Sequence, residues 1–289
     1  VLLLLIVAAV LPALLIDKET VKRRISRAAY EATGRELAID GEIGFSLSPT
    51  PRFEAAGVRL ANWPDSAEPW MLSVRRVVAT VSPLALLRGE MAVGTLELES
   101  PVLLLERRAG RGNWAFVPPG RLPPRPDAAP SAAASPAPVA AEAAAAAAFA
   151  FKRVAVHNGR ISYRDANGDK AVTAEKIEAQ VDTQAAIGPF QVRAQAQVAG
   201  QPVTLSGNVG QVQTNRAVTL RFDVDVEAAR LHLDGLLLRA TDEGPVLKAA
   251  AELSTADAAR LAKRLGIAAA PGLAGKAASL SGQVRLTAI

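Results

Sequence analysis

One pattern constrains this chain more than any other: runs in which apolar and polar residues alternate strictly, clearest in AVTLRFDVDVE at 217–227. Successive side chains of a strand point to opposite faces. Val218, Leu220, Phe222, Val224 and Val226 therefore share one face, and Thr219, Arg221, Asp223 and Asp225 the other. Leu96 and Leu98 alternate with Glu97 and Glu99 in the same way. The period of two predicts strands at Glu36 to Ile43, Arg52 to Leu60, Val74 to Val81, Ala92 to Glu99 and Val102 to Arg107. A second series follows at Lys152 to His157, Arg160 to Asp165, Gln191 to Ala199, Pro202 to Gly207, Ala217 to Glu227, Arg230 to Ala240, Pro245 to Leu253 and Ser279 to Ile289. Turn chemistry such as HNGR (157–160) and DANGD (165–169) separates many of them. The fold class is mostly β.

A sheet with one apolar face must cover it. It can close on itself as a sandwich or barrel, or it can be an extended, curled, antiparallel-rich sheet whose apolar inside is a groove for lipid tails. Helices to cover it are few. Asp17 to Thr33 places Val21, Ile25, Ala28 and Ala32 on one side and stops at Gly34. SPLALLRG (82–89) and STADAARLAKRLG (254–266), the latter capped by Ser254 or Thr255, are short helical inserts. An outer-membrane barrel would need aromatic girdles, and aromatics are only 4% of the chain.

Val1 to Ile16 contains no charged residue. As a helix, sixteen residues reach about 24 Å against a hydrocarbon core of about 30 Å. The run passes straight into Asp17 and Lys18 without the small-residue exit of a cleaved signal, so it reads as a truncated transmembrane anchor. Lys18, Lys22, Arg23, Arg24 and Arg27 follow it, a bias that ordinarily holds a flank on the cytoplasmic side. Residues 118–148 hold eight of the 19 prolines and then an alanine run, a composition that cannot order itself as a core. The organisation is then an anchor at 1–16, a helix-then-β module at 17–117, a Pro/Ala-rich linker or insertion at 118–148, and a second β module at 149–289 that continues beyond the end of the chain.

Chemistry-bearing patterns are absent. With no cysteine there is no disulfide framework, thiolate site or cysteine nucleophile. His157 and His232 lack metal-ligand spacing, and read as exposed polar positions. DANGD begins like a calcium loop, but Lys176 stands where the twelfth-position acid belongs. PGLAGKA (271–277) lacks the spacing of a phosphate loop, and no G-x-S-x-G elbow occurs. Asp223, Asp225 and Glu227 line up beside Arg221 as a solvated face, and Gly112, Asn113 and Trp114 read as a turn closed by an aromatic plug. The expectation is no enzyme, with no catalytic, cofactor or metal site. A net charge of +5 scattered along the chain, with few aromatics, also argues against nucleic acid as a partner.

Four stretches carry a resemblance: TGRELAIDG (33–41), LAN (60–62), SPLALLRGEMAVGTLELESPVLLLERRAGRGNW (82–114) and NGRISYRDANG (158–168). In order and spacing they resemble the AsmA family of bacterial envelope proteins. Gly34, Arg35, Gly41, Asn62, Gly94, Pro101, Asn113, Trp114, Asn158 and Gly159 stand at the recurring positions. The resemblance implies a single inner-membrane anchor, a periplasmic body, and a part in outer-membrane assembly and phospholipid transport or homeostasis. Phospholipid acyl chains, the inner membrane and envelope assembly proteins are the implied partners. Leu96, Leu98, Val218, Leu220, Phe222, Val224 and Val226 would line the groove. The alternative is a membrane-tethered periplasmic scaffold with a sealed core that binds outer-membrane assembly proteins.

Overall fold

The computed structural model describes residues 18–46, 51–64, 66–81, 93–108, 111–116, 151–165, 171–185, 187–213, 216–227, 229–239, 245–257 and 277–287. The expected anchor, the insert at 82–89, the Pro/Ala-rich segment and the helical part of 254–266 lie outside them. Among the described residues no helix is long and apolar enough to cross a membrane.

The chain forms two compact units, Val1–Lys152 with Ile161–Ala171, and Arg153–Arg160 with Val172–Ile289. The first opens with helix α1 (Lys18–Thr33), whose apolar spacing predicts it and which stops as expected. Gly34 takes φ 68° and its N–H donates to Tyr30 O at 2.8 Å, the left-handed cap that glycine adopts most cheaply. Strands β1 (Leu37–Ile39), β2 (Ile43–Ser46), β3 (Arg52–Ala61), β4 (Trp70–Val81), β5 (Val93–Glu99), β6 (Val102–Arg108) and β7 (Arg111–Gly112) follow. The single strand expected over Glu36 to Ile43 is two, both pairing with β3. The break is at Gly41, where a Cβ would lie 2.7 Å from that of Ala56, so only glycine lets the two backbones approach.

The run VGTLELESPVLLLER, which reads as two strands meeting at a proline, lies along one partner. Glu99 pairs with Arg76 of β4 and Val102 with Ser73, both antiparallel. Ser100, at φ 48°, and the buried Pro101 interrupt the ladder without reversing the chain.

The second unit is a meander. Strand β8 (Arg153–Asp165) contributes its first eight residues to it. Then β9 (Ala171–Thr183), β10 (Phe190–Val198), β11 (Gln201–Val209), β12 (Val218–Val226), β13 (Ala229–Arg239), β14 (Pro245–Thr255) and β15 (Ala278–Thr287) pair in chain order, each antiparallel to the next from β9 onward. Two sequence expectations are corrected here. HNGR is not a turn: β8 runs through it, with Asn158 at φ 52° making a bulge and Gly159 buried. Strand β9 is absent from the alternation pattern. Ser254 and Thr255 end β14, and Thr255 Oγ1 accepts the Asp257 N–H at 3.2 Å; the helix they are expected to cap lies outside the described residues.

Candidate functional site

In antiparallel pairs, directly opposed residues share a face, so the register of the second unit sorts its side chains. Val192, Gly207, Phe222, Leu233 and Ala251 form one row across five strands. Ala194, Leu205, Val224, Leu231 and Leu253 form the next, and Ala196, Val203, Val226 and Ala229 a third. Every member is apolar, and all are half-buried; none is sealed from solvent. Val218, at one end of β12, is sealed at 5% exposure, as are Ile177 of β9 and Val246 of β14. Each of β10 to β14 packs against the next strand of the ladder.

Glycine keeps this face continuous. A Cβ on Gly207 would lie 2.2 Å from Phe222 Cδ1, so the ring occupies the space a side chain would take. Gly235, opposite Leu220, is equally tight, with Ala249 Cβ 2.7 Å away.

The opposite face is ionic. Arg221 bonds Asp234 at 3.0 Å, Arg230 bonds Asp225 at 2.6 Å, and His232 Nδ1 lies 2.7 Å from Asp223. Arg153 reaches Asp182 at 2.7 Å, and His157 reaches Glu178 at 3.0 Å. The Arg153 hydrogen bond, then that of Gln180, holds the Asp182 carboxyl below the usual range, whereas the hydrogen bond to Asp225 pushes the Arg230 guanidinium up. The acids of β12 thus each have a cross-strand base, and the two histidines have carboxylate partners. Among the described residues no three His, Asp or Glu side chains are placed to hold a metal ion. A depression of about 610 Å³ at the β12–β13 turn is lined by Asp225, Glu227, Arg230, Ser254 and Ser279, so an ion pair occupies its wall. It suits water better than hydrocarbon.

In the first unit Leu96 and Leu98 face Ala79 and Val77 of β4 and are half-buried. The recurring polar residues form a knot instead of a binding site. Asn113, fully buried at 0% exposure, accepts the Glu106 N–H at 3.0 Å and donates to Leu104 O at 2.8 Å and Asn62 Oδ1 at 3.1 Å. Asn62 donates to Glu106 Oε2 at 3.0 Å, and Ser66 Oγ donates to the same oxygen. The 62–69 loop is thereby pinned over β6. Trp114 is not the plug: it is 43% exposed, with its ring 6.3 Å from that of Tyr163, and Asn113 is the buried member of the triplet. The hydrogen-bond needs of an asparagine are what the turn satisfies. Glu106 was missed by the sequence reading, since a charge in an alternating strand reads as solvent-facing.

The remaining recurring positions are also architectural. Arg35 lies 5.9 Å from the Trp63 ring, with burial lowering its pKa. Gly94 faces Thr80, and its carbonyl accepts the Lys152 N–H at 2.9 Å. The backbone N–H of Asn158 donates to Glu178 Oε1 at 2.7 Å.

Comparison with protein families matches residues 1–265 to the family described as "AsmA family". Among curated proteins, the chain is 25% identical over 267 residues to "AsmA family protein YhjG" of Escherichia coli (strain K12). The match takes in 81% of this chain but 37% of that relative, so the chain spans little more than a third of its length.

Proposed function

The chain belongs to the AsmA family, and from that premise we propose that it is an inner-membrane-anchored, single-pass envelope protein whose bulk lies in the periplasm. Its work is to move or partition phospholipid for the outer membrane, with the apolar face of the second unit receiving acyl chains. Membership in the family supports envelope biogenesis and lipid handling as the general setting. One observation carries the finer reading: side chains from consecutive strands offer a continuous apolar face that stays half-exposed, backed by an ionic face that keeps the sheet in water.

The energetics suit a carrier. A phospholipid exposes roughly 30 methylene groups, and at about 0.8 kcal/mol each their transfer to water costs more than 20 kcal/mol. A hydrocarbon surface of Val, Leu, Phe and Ala removes most of that cost without directional contacts, so lipid slides along it without being trapped. Half-burial matters as well. A face already sealed by a second layer would gain nothing from a guest.

The test is site-specific photocrosslinking in cells, with the photoreactive residue at Leu220 or at its neighbour Arg221. Phospholipid captured at Leu220 and not at Arg221 is the expected result. Equal capture at both defeats the reading, and capture of a defined assembly protein with no lipid at Leu220 favours the tethered scaffold.

A further inference from the structure

Helix α1 carries a surface that lipid handling on the sheet leaves unused. Lys18, Lys22, Arg23, Arg24 and Arg27 set five cations against Glu19 and Glu31, and the protein buries none of the helix's residues. Val21, Ile25 and Ala29, half-buried, form its inward side, whereas Ala28 and Ala32, expected there, are exposed, and the helix lies against β1. The opposite side carries Arg23, Arg27 and Tyr30 at i, i+4 and i+7, with Arg24 beside them. All four are exposed, Tyr30 at 49%.

Their internal partners are weak. Arg23 donates to Thr20 Oγ1 at 2.8 Å, and Arg27 meets Glu31 at 3.1 Å with side chains 82% and 64% exposed. A pair so solvated contributes little and releases its cation readily. Arg24 has no acidic partner among the described residues.

The helix follows directly on the apolar run Val1 to Ile16. On the anchor reading proposed above, on which this inference rests, its first turn starts at the bilayer surface. Arg23 and Arg24 then lie about 8 to 9 Å along the axis from Lys18. That is within one Debye length, about 8 to 10 Å, whatever the tilt of the helix. Basic residues beside an anchor ordinarily hold their flank in the cytoplasm, so a periplasmic body carries them at a cost that some attraction must offset. Acidic headgroups supply it: guanidinium forks match phosphate, and tyrosine favours the interface between apolar and wet phases. A convex helix side with solvated cations and no apolar anchor fits a field of headgroups better than a protein partner, which would need a desolvated centre.

We infer that the Arg23, Arg24, Arg27 and Tyr30 side of α1 docks onto anionic phospholipid headgroups of the membrane that holds the preceding segment.

The chain has no cysteine, so Ser26→Cys places a single fluorophore on the helix. The full chain is reconstituted in phosphatidylcholine vesicles, and in vesicles with about 30% phosphatidylglycerol, each doped with a headgroup-attached quencher. Quenching is expected in the acidic vesicles and to fade in about 0.5 M salt. Because each surface cation contributes about fivefold, Arg23→Gln, Arg24→Gln and Arg27→Gln together should weaken the contact roughly a hundredfold. The three Arg→Lys changes should retain most of it. Equal quenching in neutral and acidic vesicles overturns the inference, as does indifference to the glutamine changes or failure of lysine to rescue. Flotation with neutral vesicles reads the anchor separately. A chain that floats but shows no dependence on acidic lipid loses only the docking surface, and one that fails to float on neutral vesicles loses the anchor.

Discussion

The two units use the same strand chemistry to opposite ends. In the first, Ile43, Ala55, Leu60, Met71, Val74, Val78 and Leu104 are each less than 9% exposed, and a buried polar knot ties a loop across the sheet. In the second, the rows through Leu205, Phe222 and Val224 are as apolar, yet remain half-exposed. In the first, Asn62 and Ser66 of a loop are tied to Glu106 of β6. The described residues of the second form a meander of hairpins, each of which adds a strand at an edge. The difference teaches that alternation sets which face is apolar, while connection geometry decides whether that face becomes a core or a surface.

An acid placed in each region should break that contrast most sharply if it is mistaken. Val74→Asp, at a position 3% exposed, should cost about 4 kcal/mol by urea denaturation, because the carboxylate has no partner there. Val224→Asp, already half wet, should cost about 1 kcal/mol while abolishing lipid capture at Leu220. Similar losses at the two sites would mean that the second face is covered after all. Next in size, Asn113→Leu takes from Glu106 N–H, Leu104 O and Asn62 Oδ1 the partner that Asn113 supplies, leaving Asn62 Oδ1 with the Trp63 N–H, and should cost about 3 kcal/mol, read as a lowered Tm. Hydrogen exchange should rise in β6 and in the 62–69 loop but not in β10 to β13.

Gly207→Ala probes the second unit's packing. The added methyl meets Phe222 Cδ1 at 2.2 Å and Arg221 O at 2.4 Å, and should cost about 1 to 2 kcal/mol in denaturant. Phe222→Ala in the same chain should recover part of it, since the ring is one of the two clashes. The smallest effect is ionic. The folded-state pKa of Asp182 lies below its unfolded value, so its stabilising contribution is complete above about pH 4 and disappears as pH falls through the folded value. Arg153→Gln should therefore lower Tm slightly at neutral pH and leave it unchanged in strong acid. A gap that persists in acid would show Arg153 acting through packing instead of charge.

Much of the fold was legible because the ladder repeats the sequence's own period. The strands from β10 to β13 fall within a residue or two of where alternation predicts them, and Gly34 ends α1 as its φ requires. Strand β9 was hidden by a slip in the period. Glu175 and Lys176 are consecutive exposed residues, and Lys176 sits at φ 51°, so the apolar positions on either side of the bulge fall out of step. Asn158 misled in the reverse sense, because the left-handed conformation that suits a turn also makes a bulge. The expected groove residues all fall on apolar faces. Glu106 was illegible because the loop residues that bond it, Asn62 and Ser66, are 44 and 40 residues away in the chain.

The amino-acid order by itself determined the strands, the apolar and ionic sides of each, and the glycines at close approaches, since all of these follow from local backbone sterics and a side-chain period of two. Only the tertiary structure decided register, which strings isolated apolar residues into rows, and coverage, which hides Asn113 and leaves Phe222 half-exposed. Both depend on contacts between residues far apart in the chain, and no local pattern encodes the distance at which another segment will pack.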